Sequence, residues 1–141
     1  FYGLLRPYDV IAPYRLEMGT SMKSYGIDLY QFWGDVLTQA VADRATHCDA
    51  RYILNLTSKM YGSVLDTPQL GLPLVQVDFK QRRPDGLKIF GLKAKYARGL
   101  MASWVVRHRI SALSDLKDFN EGDYTYVADL SSDHHLVFVG P

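Results

Sequence analysis

The residues best suited to chemistry in this sequence are cations concentrated between positions 80 and 109. This window holds nine Lys and Arg side chains against one acid, Asp85, for a formal charge of +8. Residues 1–79 sum to −2 and residues 111–141 to −5, so the net charge of +1 conceals the asymmetry. A local positive potential of this kind favours binding to a phosphate backbone. A solvated basic surface balanced by the acidic carboxy-terminal residues is the equally weighted alternative.

Two predicted elements must position these cations. The turn signal Pro84-Asp85-Gly86 lies between residues 74–79 and 87–93, which predicts a β-hairpin with a basic loop over Gln81–Gly86. Residues 94–110 then predict a helix whose core face holds Ala97, Leu100, Met101, Trp104 and His108. Its opposite face holds Lys95, Arg98, Gly99, Ala102, Val106 and Arg109, and the small residues would let a phosphate strand or a protein strand approach. The predicted phosphate contacts are Arg82, Arg83, Lys93, Lys95, Arg98 and Arg109.

Other common chemistries find little support in the sequence. The motifs GxGxxG, GxSxG and HExxH and the Walker loop do not occur, so no cofactor is predicted. His134 and His135 would point to opposite faces of a strand, which makes a poor chelate, so no metal site is predicted. A single Cys48 favours a reducing compartment, either the cytoplasm or an organelle matrix. No run approaches the roughly 20 apolar residues of a membrane span, and no membrane partner is expected.

The remaining pattern predicts a mixed α/β domain. Pro7 and Pro13 interrupt residues 1–18, where turns are expected. Asp28 is the expected N-cap of an amphipathic helix that continues to about residue 45. Further predicted elements are a strand at 52–56, a short capped helix at 114–119 and strands at 124–127 and 136–139.

Several ordered blocks resemble the YaaA family: PYRLEMG at 13–19, DLYQFWGD at 28–35, NLTS at 55–58 and AKYARGLM at 94–101. The resemblance implies a YaaA-like α/β fold in which a mixed sheet packs against helices. It also implies that residues 1–141 are the carboxy-terminal part of a single YaaA-like domain whose amino-terminal half is missing from this sequence. For function, it implies binding to duplex DNA through a helix-hairpin-helix-like element, and protection from peroxide damage.

The resemblance also implies two groups of site residues. The hairpin of the family corresponds to residues 2–6, where a turn at Gly3 would aim backbone N–H groups at a phosphate and Arg6 would support it. A candidate cleft for a polar ligand or a flipped base is formed by residues within the family motifs, namely Arg15, Glu17, Asp35, Asn55 and Ser58. Structural ion pairs and hydrogen bonds are the alternative role of this second group.

Three functions follow from these observations. The first is a DNA-binding protein of the YaaA type that acts in peroxide stress. The second is a repurposed structural subunit of a larger assembly, which could contain RNA, with protein partners or a second chain completing the fold. Lost family residues motivate it, because Lys59-Met60-Tyr61 keeps only the Tyr of an acidic-Tyr-Lys pattern. The third is an enzyme acting on a nucleobase or nucleotide through the region Asn55–Ser58.

Overall fold

The computed structural model describes residues 2–20 and 25–141 and divides into two compact units. One unit contains Phe1–Ile53 and Thr57–Leu74, and the other contains Leu54–Leu56 and Val75–Pro141. Four α-helices and a mixed sheet confirm the predicted α/β fold class. Within the described residues, none of the helices combines the length and the apolar character that a membrane crossing requires.

The first unit is built from short helices. They are α1 (Leu29–Trp33), α2 (Val36–His47), α3 (Lys59–Gly62) and a 3-10 helix at Thr67–Leu70. The predicted cap at Asp28 is confirmed, because its carboxylate accepts the backbone N–H groups of Tyr30 at 2.8 Å and Gln31 at 3.3 Å. Residues 2–20 contain turns and no helix or strand, as expected.

A single helix from 29 to 45 is the wrong prediction for this unit. α1 ends at Gly34, whose φ of +41° ends the helical path, and α2 begins two residues later at Val36. The break changes which residues of the apolar series are buried. Leu29 is buried, whereas 67% of Phe32 and 64% of Val36 remain exposed.

A five-stranded sheet organises the second unit. Its strands are β1 (Ile53–Asn55), β2 (Leu74–Arg83), β3 (Gly86–Lys88), β4 (Thr125–Tyr126) and β5 (His135–Gly140). The order is β1-β2-β5-β4, and β3 pairs with β2 as the second strand of the predicted hairpin. β2 and β5 are parallel, with Gln76 opposite His135, while β4 and β5 are antiparallel.

The hairpin differs from its prediction in where the strand ends. β2 continues to Arg83, which pairs with Gly86, so the connecting turn is Pro84-Asp85 alone. Basic residues that were expected in the loop are therefore strand residues. β3 is correspondingly short and ends at Lys88.

The helix that carries most of the predicted phosphate contacts is α4 (Gly91–His108). It begins three residues before the expected Ala94, because Phe90 takes the N-cap position and the chain leaves β3 early. Ala97, Met101 and Trp104 are buried, as predicted. Leu100 is only half-buried and His108 is exposed, which corrects their assignment to the core. His108 is the last helical residue, where its ring lies 5.2 Å from that of Trp104.

Aromatic rings fill the core between α4 and the sheet. Phe79 and Phe138 occupy the same register position on parallel strands and stack at 5.6 Å. Phe119 contacts Phe79, Phe138 and Trp104 edge to face, at 5.9, 5.6 and 5.6 Å. Phe119 follows a 3-10 helix at Asp115–Asp118, which is the short helix predicted at 114–119; Ser114 is its N-cap residue but makes no side-chain cap hydrogen bond.

Candidate nucleic-acid interface

The exposed side of α4 presents a row of cations and small residues, which we call the basic stripe: Lys95, Arg98, Gly99, Ala102 and Arg109. Lys95 and Arg98 are three residues apart, and Ala102 lies four residues after Arg98, so all three share one side of the helix. Lys95, Gly99, Ala102 and Arg109 are exposed and Arg98 is half-buried. Lys95 and Arg109 are about 21 Å apart along the axis at 1.5 Å per residue.

Acidic residues neutralise other cations of the basic window and leave the stripe unpaired. Lys88 forms an ion pair with Asp85, and Arg107 forms one with Glu121. Within residues 2–20 and 25–141, no carboxylate lies within ion-pairing distance of Lys95, Arg98 or Arg109. Of the acidic carboxy-terminal residues, Glu121 thus pairs with Arg107, and none forms an ion pair with the stripe in the described chain.

Arg98 has an unsatisfied donor. Its Nε atom is buried and has no hydrogen-bond partner in the part of the chain that the structure describes. Leaving a buried donor unpaired costs about 1–3 kcal/mol, and more for a charged group.

The basic hairpin is fixed to the start of α4. The guanidinium carbon of Arg83 lies 4.2 Å from the ring centroid of Phe90, the N-cap residue. Gln81 is fully buried, and its Oε1 accepts the Phe90 N–H at 3.1 Å. Its Nε2 donates to the hydroxyl of Tyr124. These contacts hold the hairpin against the helix, with Arg82 and Arg83 exposed.

Gln81 was missed by sequence reasoning, which placed it in an exposed loop. Alternation along β2 was the available signal, because Val75, Val77, Phe79 and Gln81 are the buried residues of one face. Its role is structural. It positions the first turn of the helix that carries the stripe.

The two other predicted phosphate contacts are engaged elsewhere. Lys93 Nζ donates to the Pro141 carbonyl at 3.2 Å and borders a cavity of about 360 Å³ lined by Leu92, Tyr96, Gly122 and Tyr124. Arg6 belongs to the first unit, where its Nε and Nη2 donate to one oxygen of Asp9 at 2.9 and 2.7 Å. Hydrogen bonds from the Arg6 side chain and backbone hold the pKa of Asp9 below its ordinary value. Arg6 thus already forms an ion pair with Asp9, without a phosphate ligand.

Comparison with known proteins decides the family. A sequence model described as peroxide stress protein YaaA matches residues 1–130. The chain belongs to the YaaA family. Its relatives include UPF0246 proteins of Crocosphaera subtropica, 39% identical, and of Cereibacter sphaeroides, 40% identical, each over 139 residues. A UPF0246 protein of Legionella pneumophila strain Paris is 37% identical over the same length.

These alignments cover nearly all of the chain and only part of each relative. They include 98% of the chain, but 56%, 54% and 55% of the three relatives respectively. The chain therefore spans about half the length of the curated YaaA-family proteins it matches.

The family-motif residues of the candidate cleft are divided between the two units, with Asn55 in the second and the others in the first. Asn55 belongs to the second unit, where its Nδ2 donates to Gln76 Oε1 at 2.8 Å. Asp35 accepts a hydrogen bond from Gln69 at 3.2 Å. Ser58 is the N-cap residue of α3, and its carbonyl accepts the N–H groups of Tyr61 and Gly62. Arg15 and Glu17 are exposed.

One side chain near the YaaA-family motifs has a shifted pKa. Partial burial raises the pKa of the Tyr61 phenol, with further contributions from Tyr14, Glu17 and Tyr30. Tyr30 lies in the same cluster and donates from its hydroxyl to the Met60 carbonyl at 2.9 Å. Since each contribution disfavours the phenolate, Tyr61 stays protonated at neutral pH and can donate a hydrogen bond.

Among residues 2–20 and 25–141, no three His, Cys, Asp or Glu side chains are placed to hold a metal ion. His135 instead contacts Asp78, with Nε2 3.0 Å from the carboxylate. The two residues lie on the parallel strands β5 and β2, so the pair links neighbouring strands of the sheet.

Proposed function

We propose that this YaaA-family chain binds the phosphate backbone of duplex DNA through the basic stripe of α4 and the adjoining hairpin. The observation that carries the proposal is the absence of acidic partners for Lys95, Arg98 and Arg109 in the described chain, where Lys88 and Arg107 are paired. The family's description as a peroxide stress protein supplies the context, because DNA is one of the molecules that peroxide damages.

The geometry of the stripe favours contact with a backbone over contact with base edges. Gly99 has no side chain and Ala102 has only a methyl group. Both are exposed, so they leave room beside Arg98 for a sugar-phosphate chain. Arg98 is half-buried and forms no ion pair among the described residues, so its guanidinium can donate to a phosphate oxygen. Contacts of this kind position a protein on DNA and carry no sequence information directly.

The hairpin extends the same surface. Arg82 and Arg83 lie at the end of β2, and Arg83 is held over Phe90 beside the first turn of α4. The hairpin cations therefore add to the potential near Lys95, which lies one turn further along the helix. Together these residues provide five cations without an acidic partner in the described chain.

The salt dependence of affinity tests the phosphate contacts. If three phosphates are contacted, the logarithm of affinity should fall with a slope near −2.7 against the logarithm of salt, which is about 40-fold between 50 and 200 mM. Fluorescence anisotropy with a labelled duplex of random sequence measures it. An affinity that does not change with salt would reject the proposal, and tighter binding to single-stranded or duplex RNA would reassign the ligand.

A matched pair of double variants tests the location. Lys95→Gln with Arg98→Gln should weaken binding at least tenfold and reduce the salt slope by about 1.8. Lys88→Gln with Arg107→Gln changes the net charge by the same amount, but removes cations that are already paired. This control should change affinity by no more than about twofold. Equal losses in the two variants would show that overall charge, and not the stripe, drives binding.

A further inference from the structure

The first unit exposes many large hydrophobic residues and buries few. In the described chain it has thirteen of them exposed and only four hydrophobic residues buried, whereas the second unit has seven exposed and fourteen buried. The most exposed are Val10 at 99%, Tyr8 at 96%, Tyr25 at 77%, Phe32 at 67% and Val36 at 64%. We call these five residues the apolar layer. A unit with so few buried hydrophobics has little core of its own.

Contacts inside the first unit hold the segments that carry the apolar layer together. The rings of Tyr2 and Tyr14 meet edge to face at 5.5 Å, and the Tyr2 hydroxyl donates to the Ala12 carbonyl at 3.2 Å. Gly3 lies against Trp33 so closely that a Cβ atom there would be 3.0 Å from the indole. Segment 2–14 is therefore fixed both to itself and to α1, which carries Phe32.

The residues of the apolar layer belong to backbone segments whose conformation is restricted by local contacts. Phe32 packs against Trp33 at 5.3 Å, and Asp28 caps the helix that contains both rings. Val10 lies between Pro7 and Pro13, which restrict the backbone on either side. Large hydrophobics presented from a fixed backbone are typical of a surface that another polypeptide covers.

The length of the relatives indicates what covers it. The chain spans about half of each of these curated YaaA-family proteins, so each relative has a large segment outside the aligned part. We propose that the apolar layer is the docking surface for that segment, and that a polypeptide of its sequence completes the first unit when supplied as a separate chain. The partner is thus an apolar face of a YaaA-family polypeptide and not a nucleic acid or a membrane.

Complementation tests the proposal. The probe is the part of the Crocosphaera subtropica UPF0246 protein that this chain does not align with, co-expressed with the complete 141-residue chain. We expect a one-to-one complex by sedimentation, and amide hydrogen exchange slowed at least tenfold in residues 2–14 and 25–36. Failure of the soluble chain to retain the probe, or retention without added protection in those residues, would overturn the proposal.

Variants locate the surface. Val10→Asp and Phe32→Asp should each weaken the complex at least tenfold, because an unpaired carboxylate would be buried in an apolar contact. Both positions are exposed, so the chain itself should keep its fold, and circular dichroism checks this. Val106→Asp is the matched control, since Val106 is 76% exposed on α4 and should change affinity by less than twofold.

A second copy of the chain is the other polypeptide that could cover the apolar layer, and the oligomeric state of the chain alone tests for it. If the chain alone forms dimers that Val10→Asp dissociates, a second copy covers the layer and the proposal is wrong. A monomer that binds the probe supports it.

Discussion

At the residue scale, the fold depends on polar side chains placed where the sequence suggests solvent. Gln81 is fully buried at the end of β2 and hydrogen-bonds both Tyr124 and the backbone of Phe90. A buried amide is tolerated only when its donor and acceptor are satisfied, and both ends of Gln81 have partners. The basic stripe thus depends on a neutral residue that carries none of its charge.

Replacing Gln81 with Leu should lower the free energy of unfolding by about 2 kcal/mol, because the Tyr124 hydroxyl and the Phe90 N–H would lose their buried partners. Urea denaturation measures the change as a lower midpoint. The matched control is Gln39→Leu on α2, where an exposed amide bonds Asp43 at 2.8 Å and the expected change is within about 0.5 kcal/mol. Similar losses at both positions would argue against a structural role for the buried amide.

At the element scale, α4 combines a buried face with a C-terminus that is not optimised for stability. Arg109 occupies the C-cap with φ +53° and ψ +42°, the left-handed conformation that glycine adopts most easily. A side chain there is disfavoured by roughly 1–2 kcal/mol.

Arg109→Gly should therefore separate stability from binding. We expect the free energy of unfolding to rise by about 1 kcal/mol, because glycine relieves the left-handed backbone. DNA affinity should fall, with a salt slope smaller by about 0.9. Arg107→Gly is the control, since it lies inside the helix and should destabilise by about 1 kcal/mol. If Arg109→Gly left DNA affinity unchanged, Arg109 would lie outside the interface.

The elements also show how far sequence reasoning reaches. Local signals predicted the Asp28 cap and the buried positions Ala97, Met101 and Trp104, because capping and helical spacing act within a few residues. The break at Gly34 was missed, since a glycine inside an apolar series is compatible with helix until its φ is known. The extent of β2 was missed because its last residues are set by pairing with β3, and charged residues there resembled a loop.

The candidate site was only partly predictable, because some of its features depend on contacts between residues that are far apart in the sequence. Which cations lie on one helix face follows from spacing, but which of them an acid neutralises depends on distant residues. Glu121 pairs with Arg107 from fourteen residues away, and no pattern in the sequence singles out that pair. The motif residues of the candidate cleft are divided between two units, a partition that the motifs themselves do not encode.

At the scale of the whole molecule, buried hydrophobic residues and exposed ones are unevenly distributed between the two units. In the second unit, the fully buried Val77, Phe79 and Phe138 lie on adjacent strands. Amides in such strands exchange only when the unit opens as a whole. Residues 2–14 have no comparable core around them.

Hydrogen exchange of the chain alone should reveal this difference. Amides of β2 and β5 should be protected by several orders of magnitude, whereas amides of residues 2–14 should be protected much less, because this segment contains no helix or strand. Mass spectrometry of peptic fragments resolves both regions. Equal protection in the two regions would show that the first unit is as well packed as the second, which would contradict the distribution of buried residues.

The parallel pairing of β2 with β5 also has a consequence for biosynthesis. Gln76 pairs with His135, so roughly 60 further residues must be synthesised before β2 can pair with β5. At 5–20 residues per second, this synthesis takes about 3–12 s. During that interval Val75, Val77 and Phe79 have no partner strand on that edge. A nascent strand in this condition is prone to aggregation and is a natural substrate for ribosome-associated chaperones.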